Sequence, residues 1–200
     1  MGDGLRPILI VFRLYKTEIT MKKIVLVFGS IAGVIVGGMF FATYPLHENG
    51  ILTPEYGMLV GYTTMIIALS LIFFGVKSYR DNQLNGAISF GKAFGVGLLI
   101  TLVAGVIYAL TWEVMFNTLA SDYLQKFNAY SLQKMKDAGA SVAELAVKQK
   151  EMKEFDEMYK NPIVRFGFTL AEISPVGILI SLVSASLLRK KEFLKTEQII

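Results

Sequence analysis

The sequence predicts an all-α, polytopic membrane protein with four transmembrane helices and an extramembrane helical hairpin between the third and the fourth. Three observations lead to this fold class. The chain contains four apolar stretches, each long enough for the roughly 20 helical residues that cross a bilayer. Hydrophobic residues make up 54% of its 200 residues, and the mean hydropathy is +0.52. Charged residues make up only 18%, against roughly 25% in soluble domains.

The four predicted helices lie in one membrane domain, residues 21–191, with limits near 24–46, 58–79, 93–112 and 163–188. An N-terminal extension, residues 1–20, precedes this domain, and a cytoplasmic tail, residues 192–200, follows it. Met21 opens a basic pair and an apolar run, so translation starting there is one interpretation of the extension. The run exceeds the 7–15 apolar residues usual for a signal peptide, and we therefore expect an uncleaved helix.

Lys and Arg near helix ends predict the orientation, because they resist translocation across the membrane. If the helices alternate in direction, the basic residues of the N-terminal part, of the second connection and of the C-terminal part lie on one side. The first connection, 47–56, has Glu48 and Glu55 but no Lys or Arg. We therefore expect both termini in the cytoplasm. The basic residues are Arg6, Arg13, Lys16, Lys22, Lys23, Lys77, Arg80, Lys92, Arg189, Lys190, Lys191 and Lys195.

The first helix carries a row of small residues, Gly29, Gly33 and Gly37, at four-residue intervals. Small residues let two membrane helices approach closely, and packing drives their association in lipid. The simpler interpretation is packing within the chain. The alternative is that the row binds a second copy of the chain or another membrane protein.

The connection between the second and third helices resembles a phosphate-binding loop, since Gly86, Gly91 and Lys92 have the spacing of that motif. Ala93 stands where a Mg²⁺-binding hydroxyl is required, and neither a preceding strand nor a following soluble helix is predicted. We therefore expect no nucleotide here. Lys92 is interpreted as an anchor at the membrane surface.

The long connection, residues 113–161, is predicted to form two helices. Ser141 and Glu144 have the spacing of a capping box, so a helix begins there, and Gly139 ends the one before. Asn161 and Pro162 predict the start of the fourth membrane helix. The apolar faces predict either a connector that buries them locally or a protein-binding element. Their members are Phe116, Leu119, Tyr123, Phe127 and Tyr130, then Val142, Leu145, Met152, Phe155 and Tyr159.

Glu172 is the main candidate for a polar site, because it lies nine residues into the fourth helix, about 13 Å deep at 1.5 Å per residue. A carboxyl group at that depth is costly and is a functional candidate by default. Pro175 leaves a carbonyl nearby without its helical donor. The alternative is that a protonated Glu172 bridges to a hydroxyl as a structural contact. Its predicted neighbours are Tyr62, Thr63, Thr64 and Tyr108, and Thr111 is a further candidate.

Several segments together resemble a bacterial membrane family, common in Bacteroidota, that is classed as domain of unknown function 4199. The resemblance spans Met21 to Lys191, and residues 1–20 lie outside it. It implies a four-helix protein of the inner membrane of a Gram-negative bacterium, and it implies no activity or functional residue. The segments are Phe73-Phe74-Gly75, Lys77-Ser78-Tyr79-Arg80-Asp81-Asn82, Asn85 to Ala93, Trp112-Glu113, Phe166-Gly167-Phe168 and Glu172 to Gly177.

We expect an interaction or assembly role in the membrane, with the lipid bilayer as the first partner. The alternative is a small oligomeric transporter or channel that uses Glu172 as its proton or substrate group. We expect no enzymatic activity, because no set of nucleophile, base and metal ligands can be assembled. The chain has no Cys and a single His, His47, so we also expect no metal site and no cofactor. A net charge of +4 is explained by the basic helix ends, and nucleic acid is not expected.

Overall fold

The computed structural model describes residues 6–190 and 193–194, and the side chains from residue 21 onward. Those residues form helices joined by turns, without a strand, as predicted. Of the extension, only the helical backbone of residues 6–20 is described; of the tail, only Phe193 and Leu194 are. The helices are α1 (Arg6–Glu48), α2 (Pro54–Leu69), α3 (Leu71–Gln83), α4 (Phe90–Thr118), α5 (Tyr123–Asp137), α6 (Val142–Tyr159) and α7 (Pro162–Leu188).

Over the described residues, four helical segments are long and apolar enough to cross a membrane, which confirms the predicted fold class. Each extends beyond its predicted limits at one or both ends, because the flanking polar residues remain helical. The largest difference is at the start of the chain, where α1 continues upstream to Arg6. The four segments are Met21–Glu48, Pro54–Gln83, Phe90–Thr118 and Pro162–Leu188.

Helix α4 lies between α1 and α7 and supplies much of the buried surface. The row of glycines on α1 faces α4, since a Cβ at Gly33 would lie 2.8 Å from Ile107 Cβ and 2.9 Å from the Ala104 carbonyl oxygen. On the other side of α4, a Cβ at Gly177 of α7 would meet Thr101. Backbones that approach this closely leave no room for a side chain at these positions. The α1 row is therefore occupied by a helix of the same chain.

The second membrane segment is interrupted at Ser70, which separates α2 from α3. The Ser70 hydroxyl donates to the Ile67 carbonyl oxygen at 2.6 Å, and the Ser70 amide is shared between Ile66 and Ile67. A serine that bonds back to the preceding turn bends a helix. No interruption was predicted here, because a single Ser in an apolar run does not by itself indicate a break.

The end of the membrane domain opposite the hairpin is organised by Arg80 of α3, which is 1% exposed. Its guanidinium donates to the carbonyl oxygens of Phe193 at 2.9 Å and Leu194 at 3.1 Å, and its Nε bonds Asp81 at 2.6 Å. A residue counted as an orientation signal therefore also binds the chain after α7. The turn before α4 places Gly86 at φ +80°, and the Ser89 hydroxyl caps α4 by accepting from the Lys92 amide.

The connection 113–161 forms the predicted hairpin of two helices, α5 and α6. Ser141 and Glu144 form the capping box, and Gly139 lies after the end of α5 at φ +84°. The Asn161 side chain caps α7. The prediction that one helix carries the aromatic face from Phe116 to Tyr130 is wrong, because α4 continues to Thr118 and the chain turns before α5 begins. Near the end of α4, Glu113 forms an ion pair with Arg165 of α7.

Candidate functional site

A cavity of about 470 Å³ lies at the end of the membrane domain that carries the hairpin, called here the hairpin end. Residues of α1, α2, α4, α6 and α7 line it, and the side nearest the hairpin, to which α5 contributes, is called here the mouth. Ligand sites of this size are mostly apolar with a few polar groups that fix orientation. The residues that line the cavity include Phe40, His47, Glu48, Thr53, Gly61, Tyr62, Met65, Tyr108, Trp112, Asp122, Tyr123, Lys126 and Glu172.

Glu172 lines the part of the cavity farthest from the hairpin, called here the deep end, and the residue is exposed. The hydroxyl of Tyr108, itself 3% exposed, donates to Glu172 Oε2 at 3.1 Å. A carboxylate can accept about four hydrogen bonds, and Tyr108 is its only hydrogen-bond partner among the described residues. Glu172 therefore keeps acceptor capacity that faces the cavity.

Aromatic rings of α1 and α4 hold this carboxyl group in place. Phe40 stacks on the ring of Tyr108 with centroids 4.8 Å apart, and it contacts Trp112 at the same distance. The indole of Trp112 donates to the Tyr159 hydroxyl at 2.8 Å, which satisfies a polar group that would be costly to bury alone. The wall nearest Glu172 is consequently both rigid and aromatic.

A packed core fills the region beyond Glu172. Leu69, Ile72, Ile100 and Ile173 are each 0% exposed and belong to one apolar cluster. The cavity therefore approaches from the hairpin end and stops near the level of Glu172. Such an arrangement is a pocket that ends inside the membrane domain, and a continuous path would require these helices to separate.

The mouth of the cavity carries charged side chains. Lys126 of α5 bonds Glu48 of α1 at 2.6 Å and Asp122 at 2.9 Å. Hydrogen bonds to Glu48 and Asp122 raise the pKa of Lys126, and the bond from Lys126 lowers the pKa of Asp122. Burial, followed by the charge of Glu172, raises the pKa of Tyr123 to about 12. The bond between Lys126 and Glu48 connects the hairpin to the end of α1.

Two further polar groups lie in the wall near the mouth. The ring of His47 packs on the backbone of Gly57, where a Cβ would lie only 2.5 Å from His47 Cε1. The hydroxyl of Thr53 is enclosed and makes no hydrogen bond within the described part of the chain. A buried hydroxyl without a partner costs about 1–3 kcal/mol.

The structure brings together some of the residues that the sequence singled out and separates others. Glu172, Tyr108 and Tyr62 line the cavity, whereas Thr63 and Thr64 do not. The Thr64 hydroxyl instead bonds the Val60 carbonyl oxygen within its own helix. Thr111 lies against Gly37, in the contact between α4 and α1.

Sequence reasoning did not find the acidic and aromatic mouth, because its residues come from different helices. Glu48 and Lys126 are 78 positions apart, and Trp112 and Tyr159 are 47 apart. The one available signal was the apolar face of α5, whose Tyr123, Phe127 and Tyr130 line the cavity. Within the described residues, no group of three or more His, Asp or Glu side chains could hold a metal ion.

A family model described as a protein of unknown function (DUF4199) matches residues 27–190. The chain belongs to the DUF4199 family. This match confirms the resemblance to this family identified from the sequence, and it covers the hairpin, the last three membrane segments and the first from residue 27 onward. No curated protein and no solved structure matches the chain. The DUF4199 fold, with its cavity ending at Glu172, is therefore the starting point for a functional proposal.

Proposed function

We propose that this protein binds a small amphipathic solute in the cavity, with Glu172 as the polar anchor at its deep end. The observation that carries the proposal is the position of Glu172, a carboxyl group within a membrane helix whose free acceptor sites face a cavity of about 470 Å³. Ionisable groups inside membrane segments mark ligand and ion pathways. A purely structural contact with Tyr108 would not require an open space beside the carboxyl group.

The proposed setting is a bacterial inner membrane, with both termini in the cytoplasm and the hairpin outside. The distribution of Lys and Arg supports this orientation. The fold agrees with the alternation on which that argument depends, since Tyr44 of α1 bonds the Leu119 carbonyl oxygen at the hairpin end and Arg80 bonds the chain after α7 at the other. The cavity would then open toward the extracytoplasmic side.

Transport is the second candidate function, and the position of Glu172 favours it as well. A solute held at Glu172 would already be well inside the membrane domain. Release on the other side would require the core around Ile72 and Ile100 to open, or a pathway between subunits of an oligomer. Binding is the part of this function that a single chain can perform.

The interaction or assembly role expected from the sequence stays a hypothesis. A partner that used Gly29, Gly33 and Gly37 would have to displace α4, so the hairpin is the better candidate surface for one. The absence of enzymatic activity also stays a hypothesis.

Trp112 provides a direct test, because it is the only tryptophan and lies in the cavity wall. We would titrate the protein in nanodiscs of zwitterionic lipid with a panel of uncharged and charged amphiphiles and follow Trp112 fluorescence. Saturable changes beyond those caused by partitioning into lipid are expected for some of the panel. Their absence for every compound would contradict the proposal.

A matched pair of variants makes the test specific to the cavity. Gly61 lines the cavity, Gly95 does not, and a Cβ at either position meets no atom within 4 Å. Gly61→Phe should therefore reduce cavity volume and weaken binding, while Gly95→Phe should bind as the unaltered protein does. Equal binding by the two variants would place the solute elsewhere.

A further inference from the structure

We infer that the solute bound in this cavity is an organic cation that carries aromatic or other apolar groups. The inference rests on the proposed function and adds the charge of the ligand. It is supported by the charges that line the cavity, the aromatic rings around Glu172 and the distribution of polar groups along its depth.

The charges of the lining residues favour a cation. Among the described residues, the cavity is lined by three carboxyl groups, those of Glu48, Asp122 and Glu172, by one amine, that of Lys126, and by the imidazole of His47, which packs on Gly57 near the mouth. Lys126 is held at the mouth by both Glu48 and Asp122. No side-chain cation is therefore left over for Glu172 at the deep end.

The other nearby cation, Arg165, is also bonded to groups of the protein. It is 4% exposed, and its guanidinium bonds both carboxylate oxygens of Glu113 and the carbonyl oxygen of Tyr159. It does not line the cavity. A carboxylate inside a membrane domain is costly unless it is paired, and a ligand cation would supply the missing partner.

The aromatic lining suits a cation with low hydration. Rings of Phe40, Tyr62 and Trp112 belong to the wall, and Tyr108 combines a ring with the hydroxyl that orients Glu172. Aromatic faces attract organic cations, an effect estimated at about 2 kcal/mol or more where water is excluded. The same rings would repel an anion of equal size and shape.

The cavity is polar at its two ends and apolar between them. Charged groups lie at the mouth, Glu172 lies at the deep end, and Phe40, Met65 and Trp112 belong to the apolar wall. A small hydrated ion would leave this apolar surface uncovered. An amphipathic cation would cover it while placing its charge beside Glu172.

Two probes of nearly equal shape and opposite charge test the inference on the unaltered protein. Tetraphenylphosphonium is a cation and tetraphenylborate is an anion, and empty nanodiscs measure how much of each enters the lipid. After that correction, we expect saturable quenching of Trp112 by the phosphonium, with an affinity at least about tenfold higher than that of the borate. Equal or tighter binding of the borate would overturn the inference.

Glu172→Gln removes the charge at the deep end and keeps an oxygen that can accept from Tyr108. It should weaken phosphonium binding by roughly tenfold or more, because the attraction between the ligand's charge and the carboxylate is lost in a site of low dielectric constant, and it should leave binding of an uncharged amphiphile unaffected. Glu151→Gln on α6, outside the cavity, is the matched control and should change neither. Unchanged phosphonium binding in a folded Glu172→Gln protein would overturn the inference as well.

The outcomes distinguish an error in the assigned ligand charge from a failure of the proposed binding function. If uncharged amphiphiles bind in a Gly61-dependent manner but the phosphonium has no advantage over the borate, the cavity is a binding site and the assigned charge is wrong. If no probe of any charge binds saturably, the proposed function itself fails. If Glu172→Gln does not fold, the comparison of the two ions on the unaltered protein still decides whether the cavity prefers a cation.

Discussion

Arg165 and Glu113 are 52 positions apart in the chain, yet they share two hydrogen bonds at the hairpin end, at 2.8 and 2.5 Å. The guanidinium also lies 4.1 Å from the centre of the Phe116 ring. One buried cation thus joins the end of α4, the start of α7 and the carbonyl oxygen that ends α6. Each of these elements borders the cavity or supports its wall.

Glu113→Gln should lower the free energy of unfolding by about 3 kcal/mol, because it leaves Arg165 buried without its counter-ion. The measurement is unfolding of the purified protein by a denaturing detergent, followed by circular dichroism. The double variant Glu113→Gln/Arg165→Met should recover part of the loss, since it also removes the unpaired charge. A single variant as stable as the unaltered protein would show that the pair contributes little.

Gly33→Ala should destabilise the contact between α1 and α4. The new Cβ would lie 2.8 Å from Ile107 Cβ and 2.9 Å from a backbone oxygen, so the helices must move apart, at a cost of about 1–3 kcal/mol. Gly38→Ala on the same helix is the control. It meets no atom within 4 Å and should gain up to about 1 kcal/mol of helix propensity. Thermal unfolding compares the two, and equal stability would contradict the role of the glycine row.

Lys126→Gln should loosen α5 over the mouth of the cavity without changing global stability, since exposed ion pairs contribute little. The raised pKa of Lys126 keeps its charge until the pH rises through that pKa, above 10.5, and the lowered pKa of Asp122 keeps its charge until the pH falls below 3.8. The bond between Lys126 and Asp122 therefore persists at neutral pH. At pH 7 we expect faster amide hydrogen exchange in α5 of the variant, and no such change in Lys148→Gln, whose partner lies within α6.

Ser141→Ala should weaken the start of α6 by about 1 kcal/mol, because the serine hydroxyl caps the Glu144 amide. Bonds from the amide and the hydroxyl of Ser141 lower the pKa of Glu144. Glu144 therefore stabilises the folded helix above its usual value of 4.5, and this contribution is lost as the pH falls through the lowered pKa. Carbon-13 NMR of Glu144 should report a pKa below 4.5 that returns toward 4.5 in Ser141→Ala. Ser131→Ala, within α5, should leave it unchanged.

The membrane helices could be predicted because each depends on local composition alone. A run such as residues 93–112 must be helical in lipid to satisfy its own backbone, whatever its neighbours are. The cap at Ser141 was equally local. The break at Ser70 and the extension of α4 past Trp112 were not predicted, because neither a single Ser in an apolar run nor the polar residues after Trp112 indicate them.

The candidate site was only partly predictable for the same reason. Glu172 was predicted because the free-energy cost of a carboxyl group in a membrane helix follows from its depth alone. Tyr108 was predicted because it lies at a comparable depth on the third membrane helix. The depth argument could not distinguish Tyr62, which lines the cavity, from Thr63 and Thr64, since it gives no rotation of α2 about its axis. The mouth was missed because Glu48 and Lys126 meet only after the hairpin folds back over α1.

The interruption at Ser70 divides one wall of the cavity from the part of the protein that anchors it. Gly61, Tyr62 and Met65 line the cavity from α2, whereas Arg80 fastens α3 to the chain after α7. Ile66 and Ile67, at the end of α2, are exposed on the surface of the protein. The second membrane segment therefore contributes to both ends of the protein, because α2 borders the cavity and the protein surface while Arg80 of α3 fastens the chain after α7.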